Sequence, residues 1–278
     1  MPVDSPAAMA TDLVLKYGST VALAESSFSL PGAGVTVVIG PNGSGKSTVL
    51  AAIAGLHRPA GGAVRTLAQE PTDVRSRVAF VPQSTKVNDA LPVTVREVVA
   101  MGRYSSLGLI GRFGDDDREA LEQALERLDL VDLQARHLRE LSGGQRQRVF
   151  VAQGLVQERE MLLLDEPTMA LDVVSARVIH EAIADEARRE RPVVVTTHDF
   201  GEARQADYVL LLAGRVVAEG APEQVLTAEH LAAAYGFAAG DLEGHLHLDD
   251  AAHQPAARRH VHGKPAAPTR PGGGRPRE

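Results

Sequence analysis

Two rhythms of apolar residues run along the chain. Val35-Thr-Val-Val-Ile39, Met161-Leu-Leu-Leu164 and Val193-Val-Val-Thr-Thr197 are short, nearly continuous runs of aliphatic and β-branched residues. That pattern suits strands buried on both faces of a parallel sheet. Val78-Ala-Phe-Val81, closed by Pro82, adds a fourth strand. Segments 48–54, 94–101, 115–130 and 173–190 read instead as helices, the first ended by Gly55. Leu121, Leu125 and Leu128 lay an apolar stripe at helical spacing on the third of these, and Asp115-Asp-Asp117 suits the positive end of its dipole. Ser142 is placed to cap a further helix running through Val149 to Val156. From Thr11 to Gly34, short apolar segments alternate with Gly and Ser and predict an antiparallel β piece. Tyr208-Val-Leu-Leu-Leu212 and Arg215-Val-Val-Ala-Glu219 flank Ala213-Gly214 as a hairpin. Strands alternating with helices predict an α/β fold.

The ends of the chain break these rhythms. Residues 1–8 read as a disordered leader and 9–235 as one folded domain, with a helical part at about 84–157. In 236–278, Pro, Gly, Ala, His and Arg dominate, and a disordered tail is expected. Composition narrows the function. Hydrophobic residues make up 44% and charged residues 23%, enough to bury a sizeable core. A net charge of −7 argues against nucleic acid as a partner. With no cysteine, thiol and iron–sulfur chemistry are excluded. The N-terminus lacks a basic start and apolar core, and no apolar stretch reaches the roughly 18 residues of a spanning helix. A cytoplasmic chain is expected, one that serves a membrane event only by docking on another subunit.

The richest chemistry lies in Gly40, Pro41, Asn42, Gly43, Ser44, Gly45, Lys46, Ser47 and Thr48, which fit G-x-x-x-x-G-K-[ST] between a predicted strand and a predicted helix. A loop that turns its N–H groups inward around phosphates needs conformations that glycine reaches cheaply. The helix that follows points its positive end at the anion. Lys46 is placed to reach the β- and γ-phosphates, and Ser47 to hold Mg²⁺.

Further motifs follow in order. Asp165-Glu166 ends a buried strand, where ligands bind in open α/β sheets. Asp165 suits the Mg²⁺ shell, and Glu166 suits the polarisation of a water attacking the γ-phosphate. His198 ends the next strand, placed to touch the same γ-phosphate, and Gln83 ends a third; taken alone, the first reads as an ordinary histidine and the second as a turn residue. Leu141-Ser-Gly-Gly-Gln145 is a second glycine-rich turn opening a helix, in which Ser142 and the amides of Gly143 and Gly144 can grip phosphate. Two phosphate-gripping turns make sense if two copies meet head to tail and share each ATP.

On these motifs, the chain resembles the ATP-binding subunit of an ABC transporter, over about residues 9–235. The resemblance implies a P-loop NTPase fold: a RecA-like core, an antiparallel β subdomain and a helical subdomain. It implies that Tyr17 stacks on adenine, a Tyr-Gly pair that also reads as a strand end. It implies that Gln83 senses Mg²⁺ and the membrane partner, and that Ser142, Gly143, Gly144 and Gln145 engage the opposite subunit's ATP. Glu166 becomes the general base, with Lys46, His198 and Gln83 beside it; Ser47, Gln83 and Asp165 hold Mg²⁺. Ala170-Leu171-Asp172 crosses the dimer interface, and Asp172 also suits a helix N-cap. Met169 departs from the small or polar residue usual there.

The segment from Leu91 to Tyr104, LPVTVREVVAMGRY, resembles that of importers of manganese, zinc or related divalent metals. Importers of iron–siderophore, haem or cobalamin share part of it. The implied partners are a membrane permease docked through about residues 83–114 and, indirectly, an extracytoplasmic solute-binding protein. An exporter subunit and a non-transport ABC ATPase are the rivals, the second disfavoured by the lack of a heptad run between the phosphate loop and LSGGQ. Five of the ten histidines fall between His245 and His262. They read either as a loose Zn²⁺ or Mn²⁺ site or as part of a solvated, low-complexity tail.

Overall fold

The computed structural model describes residues 5–83, 92–107 and 111–236. The chain order is β1 (Ala8–Tyr17), β2 (Thr20–Leu30), β3 (Val35–Ile39), α1 (Lys46–Ile53), β4 (Gly61–Thr66), β5 (Val78–Val81), α2 (Val95–Leu107), α3 (Asp115–Arg127), α4 (Gly143–Leu155), β6 (Met161–Asp165), α5 (Val173–Arg188), β7 (Val193–Thr197), α6 (Phe200–Gln205), β8 (Tyr208–Leu212), β9 (Val216–Gly220), α7 (Pro222–Val225) and α8 (Ala228–Tyr235).

Every residue of β6 and β7 is buried, as their unbroken apolar runs require. They lie inside a six-stranded sheet of order β5-β6-β7-β3-β8-β9. The first five strands run parallel, and β9 returns antiparallel from β8 as the expected hairpin. The carboxyl ends of β3, β5, β6 and β7 therefore open on one edge. A second, antiparallel sheet has the order β2-β1-β4.

Helix α1 fills the space between the two sheets. Its Val49, Leu50 and Ile53 pack with Leu13, Leu15 and Leu23 of the small sheet and with Val38, Met161 and Val194 of the large one. On the opposite face, α2, α3, α4 and α5 form a continuous apolar cluster with β5, β6 and β7. Helices α6, α7 and α8 cover β3 and β8 near the hairpin.

The structure revises several boundaries. The expected leader is shorter than 1–8. The Ala7 amide donates to Leu30 O at 2.9 Å, and Ala8 is already buried at the start of β1. Residues 1–4 lie outside the described segments. Helix α1 begins at Lys46 rather than Thr48, because Gly45 itself serves as its cap. Strand β4 and helices α6, α7 and α8 had no expectation. Their runs are short, and β4 opens on two glycines. The histidine-rich segment 245–262 and residues 84–91 of the docking segment lie outside the described residues.

Candidate nucleotide site

The loop after β3 is shaped by what cannot fit there. A Cβ on Gly40 would stand 2.0 Å from Leu212 O. Gly45 has φ +100°, and a Cβ on it would meet Ala22 O at 2.6 Å. Lys46 is buried at 5% exposure, and its Nζ donates to Gly40 O at 2.9 Å and Pro41 O at 3.3 Å. The Ser44 hydroxyl is buried without a hydrogen-bond partner. A buried ammonium resting on carbonyls beside an orphaned hydroxyl is a cradle suited to an anion.

The acids at the end of β6 close on this loop. Ser47 Oγ donates to Asp165 Oδ1 at 3.0 Å, and Thr196 Oγ1 of β7 donates to the same oxygen at 2.6 Å. Thr196 Oγ1 also accepts from the Glu166 amide at 2.8 Å. Glu166 has a left-handed backbone, φ 48°, which a non-glycine residue holds only where its surroundings over-determine it. Its Oε1 lies 3.8 Å from Lys46 Nζ, and its Oε2 accepts from Gln83 Nε2 at 2.6 Å. Gln83 Nε2 also approaches Met169 Sδ at 3.4 Å. The residue that departs from the resemblance thus touches the glutamine of the site.

One cavity of about 830 Å³ gathers Tyr17, the residues from Gly40 to Thr48, Gln83, Glu166 and His198. His198 is exposed on its rim at the end of β7. Tyr17 is 58% exposed, with its ring 4.6 Å from that of His57 at a 50° tilt. Thr20, Val21, Ala22, Met169 and Tyr235 also line the cavity, unforeseen as contacts there. Burial pushes the Tyr235 phenol up to about 12. No short-range pattern marks Tyr235, which reaches the site from α8 through the fold.

Ser142, Gly143, Gly144 and Gln145 are not among the residues lining that cavity. Ser142 caps α4, accepting from the Gln145 amide at 3.2 Å, while Gln145 Oε1 accepts from the Ser142 amide at 3.0 Å. Asp172 caps α5 by accepting from the Ser175 amide at 2.9 Å, and hydrogen bonds from Ser175 hold its carboxyl below the usual range. Met169, Val173 and Val174 are exposed beside it.

The family described as ABC transporter matches residues 23–169. A zinc transport system ATP-binding protein of Treponema pallidum is 39% identical over 226 residues, 81% of this chain and 85% of its own. A manganese transport system ATP-binding protein of Listeria monocytogenes is 38% identical over 235 residues, 82% of this chain and 98% of its own. Among solved structures, a metal-chelate type ABC transporter in an inward-facing conformation superposes with a TM-score of 0.73 at 30% identity, covering 84% of this chain and 89% of that one. A dimeric ATP-binding cassette in a post-hydrolysis state with ADP and Pi gives 0.66 at 26% identity, covering 77% and 98%. Phosphate cradle, paired acids and matching relatives agree: the chain belongs to the ABC transporter family, as an ABC ATPase.

Proposed function

We propose that this ATPase powers import of a divalent metal ion, Mn²⁺ or Zn²⁺, through a membrane permease. The carrying observation is the meeting of Lys46, Glu166, Gln83 and the Ser47–Asp165 pair at one sheet edge. The cargo rests on the zinc and manganese transport relatives and on the resemblance of segment 91–104 to metal importers. No helix among the described residues is long and apolar enough to cross a membrane, so the translocation path is assigned to a permease.

ATP binds with its adenine on Tyr17 and its phosphates in the loop from Gly40 to Thr48, held by Lys46 and the loop amides. Ser47 and Asp165, with Gln83, would hold Mg²⁺; their oxygen donors suit a hard cation, which supplies charge neutralisation at the phosphates. Glu166 takes a proton from the attacking water, and His198 contacts the γ-phosphate from the rim. Ser142, Gly143, Gly144 and Gln145 serve the ATP of a second copy, consistent with their position outside the cavity of their own chain. Hydrolysis then opens the dimer.

In this reading, α2 meets the permease with Met101 and Tyr104, which are 42% and 55% exposed. Arg103 instead ties α2 inward, to Asp117 at 2.7 Å and Glu158 at 2.8 Å. A solute-binding protein delivers the ion to the permease outside the cell. An importer of chelated metal is the second reading, favoured by the superposition on the metal-chelate transporter. Uptake of Mn²⁺, Zn²⁺ and iron in cells with and without the gene separates them. Loss of uptake of Mn²⁺ or Zn²⁺ supports the proposal. Unchanged uptake of all three refutes free-ion import and moves the cargo to a chelate or to export.

A further inference from the structure

Glu202 lies in α6, three residues beyond its cap, Asp199, which accepts from the Glu202 amide at 3.0 Å. An acid at this position commonly turns back to the amide of the cap residue. Here Thr197 Oγ1 already accepts from the Asp199 amide at 3.1 Å, and the Glu202 carboxylate turns inward. Its side chain is 16% exposed. Its Oε1 accepts from Thr168 Oγ1 at 2.6 Å and lies 2.9 Å from His180 Nε2 of α5.

These partners flank the chemistry. Thr168 is two residues beyond Glu166, in a turn whose amides reach back to Glu166 O and Thr168 O at 3.4 and 3.3 Å. Thr197 immediately precedes His198. One carboxylate therefore ties the turn that bears the base to α6, the helix whose cap, Asp199, directly follows the rim histidine. The left-handed backbone of Glu166 needs such tethers. Thr196 supplies one through the Glu166 amide, and Glu202 supplies the second through Thr168.

We propose that Glu202 is a positioning residue for ATP hydrolysis, holding Glu166 and His198 at a fixed spacing while leaving nucleotide binding to the loop from Gly40 to Thr48. The proposal rests on the ATPase reading of the site. Its signature is a loss confined to turnover, because Glu202 lines no part of the phosphate cavity.

The test is steady-state ATP hydrolysis by the full chain, beside fluorescent-nucleotide binding and thermal melting, for the parent, Glu202→Ala, Glu202→Gln and Thr168→Val. Glu202→Ala is expected to lower kcat by about tenfold or more with KM within about twofold. Glu202→Gln keeps an acceptor for the Thr168 hydroxyl and is expected to return kcat to within roughly threefold of the parent. Thr168→Val removes only the hydroxyl, so it tests the same tether even where Glu202→Ala fails to fold. A kcat for Thr168→Val within about twofold of the parent overturns the proposal, as does a loss of nucleotide binding that matches the loss of turnover. A parent that does not hydrolyse ATP refutes the underlying reading instead, which keeps the two failures distinct.

Discussion

Gln83 Nε2 donates to Glu166 Oε2 at 2.6 Å, across 83 residues of sequence. Lys46 Nζ lies 3.8 Å from the other carboxylate oxygen, so a cation faces the side that Gln83 leaves open. In the reading proposed above, a γ-phosphate in the loop would give Lys46 a stronger partner than this carboxylate. Glu166→Gln keeps the size of the side chain and removes its basicity. Turnover is expected to fall by about 10²–10⁴-fold while ATP binding persists. The variant should elute as a dimer in ATP on size-exclusion chromatography. Turnover like the parent's would remove Glu166 as the base.

Lys46→Ala acts on binding instead. Nζ is anchored on Gly40 O and Pro41 O, so in the reading proposed above it meets the phosphates with little further ordering. Losing one charge-assisted contact to phosphate, at roughly 1.5–3 kcal/mol, predicts a rise in the Kd for ATP of about 10- to 150-fold. Fluorescent-nucleotide titration measures it. An unchanged Kd would refute the phosphate-loop assignment.

The His180–Glu202 pair behind this site predicts a pH dependence of stability near neutrality. A hydrogen bond to Glu202 raises the pKa of His180 despite opposing burial, with Asp199 adding to the attraction. Burial opposes ionisation of Glu202, but hydrogen bonds from His180, Thr168 and Thr197 outweigh it and hold the acid below its ordinary value. Because the folded-state pKa of His180 is raised, its contribution is fully present below about 6.5, the ordinary value, and is lost as pH rises through the raised one. Glu202 runs the other way: its contribution is present above its ordinary range and lost as pH falls through its lowered value. Between pH 6 and 8 the histidine is the member that titrates. The Tm of the parent is expected to drop more across that window than that of His180→Gln. Equal drops in the two proteins would mean that the pair carries no linkage.

The parallel core was legible because its strands are unbroken apolar runs, which leave no choice of exposed face. The phosphate loop and the paired acids were legible because their chemistry fixes residue types at fixed spacing, and the Ser142 cap because serine at a helix start is a local signal. Glu202 was not. Its meaning comes from Thr168 and His180, 34 and 22 residues away in sequence, and no local pattern announces either contact. Helix α6, with six residues, gives too little periodicity to stand out. Strand β4 was hidden by its leading glycines and exposed alternate residues. The strand start at Ala8 was missed because alanines carry a weak apolar signal, although Ala7 and Ala8 are both buried.

Glu186 carries the last prediction. It is 2% exposed, yet charged groups surround it. Arg127 Nη1 of α3 lies 2.7 Å from its Oε1, and Arg191 Nη1 donates to its Oε2 at 2.9 Å. Arg127 also donates to Ala182 O at 3.1 Å. The cluster therefore joins the helical layer of α2, α3 and α4 to α5, which packs directly on the large sheet. Burying these charges is expensive, and only their mutual pairing offsets the cost. Glu186→Gln keeps the shape but takes from Arg127, 15% exposed, its nearer carboxylate and leaves it only Asp185 at 3.7 Å. Breaking one partner of a buried pair costs about 3–5 kcal/mol, so the Tm is expected to fall by about 10 °C. Glu186→Gln with Arg127→Gln removes both charges and should recover part of that loss, since the pair itself contributes less than either unpaired ion costs. Thermal melts of the parent, the two single variants and the double variant close the cycle. A double variant as unstable as the sum of the singles would show that Arg127 and Glu186 do not act as a pair.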